Sequence, residues 1–252
     1  MYSIRPCKWK TGKIGFMKAL LRKIPVLGKI TSRLYWRIRS RPGPPEIFSG
    51  SGAYWERRYR NGGDSGVGSY GKFAMFKAEV INTFVADRLV GSVIEFGSGD
   101  GNQLKLAEYP RYLGFDVSDA AISACRQQFS ADPSKEFRPM REFKGERADL
   151  ALSLDVIYHL VEDTSYEDYM ATLFNSADRY VIIYSSNSDD NRTHIGAHIR
   201  HRKFTDWIAG NARNWTMIGH IPNKYPYHGD HREGSFADFY FYEKSGPPIS
   251  RE

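Results

Sequence analysis

Two rhythms of apolar residues alternate along the chain from about residue 72 onward. Phe73, Phe76, Val80, Phe84 and Leu89 recur near one face at helical spacing, which predicts a helix over 72–90. Short apolar runs at 92–97 and 112–117 predict buried strands. After the second, "SDAAISACRQQF" opens on Ser118, a residue suited to capping, and predicts a helix over 118–129. "EFRPM" at 136–140 reads as a short strand with Pro139 against it. "ADLALSLDV" at 148–156 is a buried strand, 165–177 a helix and "RYVIIYSS" at 179–186 another buried strand. A short helix at 203–210 then precedes two late strands, "WTMIGHI" and "FADFYFYEK". Repeated strand–helix alternation argues for a parallel sheet covered by helices on both faces. Two closing strands with no long helix between them predict an antiparallel addition.

Charge divides the chain. Of its 36 Lys and Arg, twelve fall within residues 1–42, which hold no Asp or Glu; the other 24 face 29 acidic residues. A mildly acidic domain therefore carries a strongly basic arm, and "RPGPPE" at 41–46 marks the linker. We place the arm and linker at 1–45, the domain at 46–246 and a tail at 247–252. The arm's apolar residues are interrupted by bases too often for a spanning helix of about 20 apolar residues. It also lacks the apolar core and cleavage site of a signal peptide. Residues 13–22 and 26–38 put aromatic and aliphatic groups opposite Lys and Arg. That pattern admits a helical cap on the domain, contact with an anionic membrane surface, or contact with nucleic acid. The two cysteines, Cys7 and Cys125, share no metal-ligand spacing and fit a reduced, cytoplasmic setting.

The stretch "SVIEFGSGDG" at 92–101 carries the chemistry. An apolar strand ends in Glu95, and Gly97, Gly99 and Gly101 follow at alternate positions; the next strand ends in Asp116. Glycines at a strand end let a ligand approach the backbone, and an acid ending the adjacent strand can accept ribose hydroxyls. A nicotinamide dinucleotide site expects G-x-G-x-x-G with its acid roughly 20 residues further on, a spacing this chain does not keep.

The set resembles the class I S-adenosylmethionine-dependent methyltransferases. Glu95, Gly97, Gly99 and Gly101 match their first motif, Asp116 in "GFDVS" the second, and "LALSLDVIYHL" the strand leading into the active-site segment. The resemblance spans about residues 54–243. It implies a Rossmann-like, seven-stranded, mostly parallel sheet with helices on both faces and an antiparallel last strand, with S-adenosylmethionine as cofactor. It further implies that the Gly97–Gly101 backbone faces the methionine part of the donor, that Asp116 holds the ribose, and that Val117 presses on the adenine. Upstream, "YWERRYRNGGDSGVGSYGKF" at 54–73 reads either as a surface loop or as a flexible lid over the donor. We favour the lid, because related enzymes often begin with a similar Tyr-Trp and Tyr followed by Gly; Tyr54, Tyr59 and Gly63 are the matching positions.

On the acceptor side, a hydroxyl nucleophile has a proton to lose, and histidine suits its removal near neutral pH. Asp155, Tyr158 and His159 follow the fourth strand. His194, His198, Arg200 and His201 follow the fifth. We take His159, His198, His201 and Asp155 as candidate catalytic groups, and Tyr158, Arg200 and Tyr225 as candidate acceptor contacts. A metal is not expected, since Gly196 weakens a helix there and no carboxylate sits at ligand spacing. "SLDVIYHLVED" and "IRHRKFTDWI" are similar, more loosely, to bacterial methyltransferases of surface-polysaccharide assembly, which implies an O-methylated sugar on a glycan at the inner face of the cytoplasmic membrane. Methylation of RNA or of a small metabolite, and a noncatalytic adaptor, stand as alternatives. Nucleic acid is the less expected partner, since the domain itself is not basic and holds no recognisable RNA-binding module.

Overall fold

The computed structural model describes residues 48–192 and 196–246. The basic arm, His194 and the tail lie outside the described residues. Within them the chain runs α1 (Ser51–Arg60), α2 (Gly71–Asp87), β1 (Val93–Phe96), β2 (Tyr112–Asp116), α3 (Asp119–Gln128), β3 (Lys135–Pro139), β4 (Ala148–Leu154), α4 (Asp163–Asn175), β5 (Ala177–Ser185), α5 (Phe204–Asn211), β6 (Trp215–Ile221) and β7 (Asp238–Lys244). The strands form one seven-stranded sheet in the order β3-β2-β1-β4-β5-β7-β6. Neighbours from β3 to β5 are parallel. β7 pairs antiparallel with both β5 and β6. This is the Rossmann-like arrangement expected, with β7 as the antiparallel strand.

All four residues of β1 are buried, as are the last six of β5. That is the mark of strands covered on both faces. Alternation along β5 sends Tyr180, Ile182 and Tyr184 to one side, against Ile81 and Val85 of α2 and Ile122 of α3. Val181 and Ile183 point to the other, against Met170 and Leu173 of α4 and Phe204 and Ile208 of α5. Ser118 caps α3 as its residue type predicts, its Oγ accepting the Ala121 N–H at 3.2 Å. α2 ends earlier than its apolar spacing suggests. Arg88 caps it, Leu89 turns left-handed (φ +50°), and the Val90 N–H returns to the Val85 carbonyl at 3.0 Å. β4 likewise stops at Leu154 rather than 156, because Asp155 adopts φ +60°, a conformation Asp tolerates better than most side chains.

The segment at 54–73 departs most from expectation. Its first part is the helix α1, followed by a turn and a short 3-10 segment at Val67–Ser69, and Tyr54 is buried. α1 is anchored at its start, where Ser51 donates through N and Oγ to the Glu162 carboxylate at 2.9 and 2.7 Å. Further along, Glu56 accepts from Ser118 Oγ at 2.6 Å. No helix among the described residues is long and apolar enough to cross a membrane.

Candidate active site

The carboxyl ends of β1, β2 and β4 open onto a cavity of about 340 Å³. Its floor is the glycine turn. Gly97 has φ +90°, and a Cβ there would lie 2.4 Å from Val156 Cγ2; at Gly99, with φ +57°, it would lie 2.4 Å from Ser65 Oγ. Neither position has room for a side chain, so the turn leaves bare backbone toward the cavity. Asp116 sits at the end of β2 and clasps the turn. Its carboxylate accepts the Gly99 N–H and the Ser118 N–H, each at 2.9 Å. Burial, the largest effect, pushes Asp116 up to about 6 despite these bonds. Glu95 accepts from Tyr112 Oη at 2.6 Å, and burial pushes it up to about 7.

α1 and the turn after it cover the floor. Trp55, Tyr59 and Ser65 line the cavity. Tyr59 Oη and Ser65 Oγ are 2.9 Å apart, the Ser65 N–H donates to Asp100 Oδ2 at 2.9 Å, and the Asp100 N–H donates to Ser65 Oγ at 3.0 Å. The covering segment is thus bonded directly to the glycine turn. Tyr54 and Gly63 do not line the cavity: Tyr54 stacks on His198 at 4.5 Å, and the Gly63 N–H closes a turn onto the Arg58 carbonyl at 2.9 Å.

Beyond β4, Asp155 is held from two sides. Lys77 Nζ of α2 lies 2.7 Å from Oδ2, and Tyr158 Oη donates to Oδ1 at 2.7 Å. His159 lines the cavity wall next to it. Its Nδ1 lies 3.0 Å from the His198 carbonyl, which can only accept, so Nδ1 carries the proton and Nε2 is the basic nitrogen. Burial pushes this imidazole down to about 4, leaving it neutral at physiological pH. Trp55 meets its ring edge-on at 4.8 Å.

The other predicted acceptor residues take places outside this cavity. His201 is buried with Nδ1 2.7 Å from Ser186 Oγ, and its backbone N–H donates to Asn191 Oδ1 at 2.7 Å. His198 lies behind His159, the two rings stacked at 5.5 Å. Arg200 bonds the Val161 carbonyl at 3.0 Å and pairs with Asp163 at 2.8 Å, fastening the segment after β5 to the start of α4. Tyr158 is buried. Tyr225 packs edge-on against Phe73 at 5.8 Å. Among the described residues no three His, Cys, Asp or Glu side chains are grouped to hold a metal. Lys77, Trp55, Ser65 and Gln103 line the cavity without having been singled out from the sequence. For Lys77 a signal existed: it stands four residues from Phe73 on the apolar face of α2, where a solvated lysine has no place.

A profile of the methyltransferase domain family matches residues 72–226, more than half of the 252-residue chain. The chain belongs to that family. The fold of this methyltransferase domain is similar to the N-methyltransferase NodS from Bradyrhizobium japonicum WM9 in complex with S-adenosyl-L-homocysteine. That match has a TM-score of 0.61 and 16% identity, covering 78% of this chain and 99% of that one. It is also similar to the magnesium protoporphyrin IX methyltransferase ChlM from Synechocystis PCC 6803, with a TM-score of 0.53 and 15% identity over 85% of this chain and 95% of that one. The methyltransferase domain of bacterial CtHen1-C matches with a TM-score of 0.52 and 17% identity over 68% and 97%. At such identities the likeness is one of fold. No curated protein matches the chain.

The methyl donor is S-adenosylmethionine, and the cavity's chemistry fits it. A bare glycine turn faces the cavity, and half-exposed Val117 stands beside the Asp116 carboxylate.

Proposed function

We propose that this enzyme methylates a hydroxyl group of a sugar, within a surface polysaccharide or a lipid-linked glycan, with His159 as the general base. The neutral His159 imidazole in the cavity wall, its proton held on the His198 carbonyl, carries this reading. Bound S-adenosylmethionine supplies a methyl group on a cationic sulfur, open to direct displacement. The protein's part is to align the nucleophile and take its proton, and positioning supplies much of such a rate. Asp116 holds the ribose, Val117 bears on the adenine, and the Gly97–Gly99 backbone runs along the donor. His159 Nε2 would accept the hydroxyl proton as the carbon–oxygen bond forms and the methyl carbon–sulfur bond breaks, the pair of electrons leaving with the sulfur as S-adenosylhomocysteine. Asp155, neutralised by Lys77 and bonded to Tyr158, holds the turn that carries His159. The Trp55 and Tyr59 rings offer apolar faces of the kind sugars stack on. The basic residues of 1–42 would keep the enzyme near anionic lipid, where lipid-linked glycans reside.

Methyl-labelled S-adenosylmethionine, incubated with the purified protein and host-cell fractions, tests the substrate. Label is expected in glycan, in a form stable to mild alkali as an ether is. Label confined to RNA, to amines or to alkali-labile esters would overturn the assignment. For the base, His159→Asn is expected to lower turnover at least about tenfold with donor affinity unchanged by calorimetry. An unaltered turnover would remove His159 from the chemistry.

A further inference from the structure

Two adjacent residues of α1 reach His159 by different routes. Trp55 lines the cavity and meets the His159 ring directly, edge-on at 4.8 Å. Tyr54 is buried away from the cavity, and its ring stacks on His198 at 4.5 Å with 10° between the planes. The His198 ring lies in turn 5.5 Å from that of His159, with 12° between the planes. Three rings are therefore piled almost parallel with Tyr54 outermost, and the carbonyl of the middle residue holds His159 Nδ1 at 3.0 Å. The pile is fixed from below. The Arg200 N–H donates to the Tyr158 carbonyl at 2.8 Å, tying the His198 segment to the turn that carries His159. Gly196, at φ +131°, leaves the His198 ring its place, since a Cβ there would fall 3.0 Å from Cε1. Tyr54 then closes the outer face of the His198 ring.

We infer that Tyr54 is a positioning residue: stacked on His198, it holds the His159 imidazole in the orientation that proton transfer needs. The inference rests on the reading of His159 as the base. It gives α1 two tasks, a wall of the donor cavity through Trp55 and Tyr59 and a clamp on the base through Tyr54. Burial is the main reason the His159 ring stays neutral, and its charged neighbours pull in both directions. Asp155, from its own turn, favours the imidazolium, whereas His198 and Arg58 of α1 oppose it. Loosening the pile admits water to the ring, so the imidazole would move from about 4 back toward its ordinary 6.5.

The test follows His159 itself by nitrogen NMR of the full chain labelled at histidine, its signals assigned by their loss in His159→Asn. Wild type is expected to show a single tautomer, protonated at Nδ1. In Tyr54→Leu the ring is expected to exchange between tautomers and to titrate closer to 6.5. Turnover is expected to fall at least about tenfold at neutral pH, as for a misplaced catalytic group, and to fall further as pH drops below 6.5. Affinity for S-adenosylhomocysteine by calorimetry is expected to stay within about threefold, since Tyr54 does not line the cavity. Tyr54→Phe keeps the ring and is expected to match wild type in every measurement. Should Tyr54→Leu not fold, His198→Ala removes the middle ring, keeps the carbonyl and carries the same expectations. An unchanged His159 tautomer and titration, or a loss in Tyr54→Phe as large as in Tyr54→Leu, would overturn the assignment. A loosened His159 with turnover intact would keep Tyr54 as its clamp and remove His159 from the chemistry.

Discussion

Glu95 and Asp116 are carboxylates kept from water, and their protonation ties binding to folding. An acid whose pKa is raised in the folded state contributes stability at low pH and loses it as pH rises through the raised value. For Glu95 that window runs from its ordinary 4.5 to about 7. His159, pushed down to about 4 from 6.5, works in the opposite sense: its contribution is lost as pH falls through that range. Carboxylates held below their ordinary values, such as Glu56 and Asp100, work in the opposite sense to Glu95, their contribution being lost as pH falls. Glu95→Gln removes only the Glu95 component. Relative to wild type, the variant is expected to gain about 2 kcal/mol between pH 5 and 7, measured by urea unfolding at both values. A difference independent of pH would mean that Glu95 is not buried as described. Leu89 offers a simpler residue-level test. It is 84% exposed at φ +50° in the position after the α2 cap where glycine is favoured. Leu89→Gly is expected to stabilise the domain by about 1 kcal/mol, the left-handed strain outweighing the added chain entropy; a lowered melting temperature would refute this.

Elements whose definition is local could be read from the sequence, and those defined by distant partners could not. Ser118 at the start of α3, the glycines after β1 and the unbroken apolar run of β5 each announce themselves within a few residues. "SGAYWERRYR" does not, being short, polar and followed by glycine and serine. Its helix owes its place to Glu162, more than a hundred residues away, and to Ser118. Lys77 went unremarked for a similar reason: its partner Asp155 comes from another layer. If α1 is held by these tethers, Glu162→Ala should release its start at a cost of about 1 kcal/mol, given partial solvent screening. The expected sign is faster protease cleavage between residues 48 and 66 with the sheet intact. Cleavage at the wild-type rate would show that packing alone suffices.

Taken whole, the molecule separates two groups of histidines that sequence proximity to strand ends had placed together. His159 reaches the cavity, whereas the His201 ring is spent on Ser186 and its backbone on Asn191, fastening the segment after β5. Ligands gather at the carboxyl ends of parallel strands, and the cavity opens at those ends of β1, β2 and β4. Which residues of the following loops face inward depends on how those loops fold back, and no periodicity encodes that. The same topology has a temporal side. β7, the last strand made, lies inside the sheet between β5 and β6. As the chain leaves the ribosome, β5 must wait with one edge bare until residues 238–244 emerge. An unpaired apolar edge is an invitation to pair with another chain. Interrupted synthesis of this protein therefore leaves a sticky product, and the closing strand works as a seal on the finished sheet.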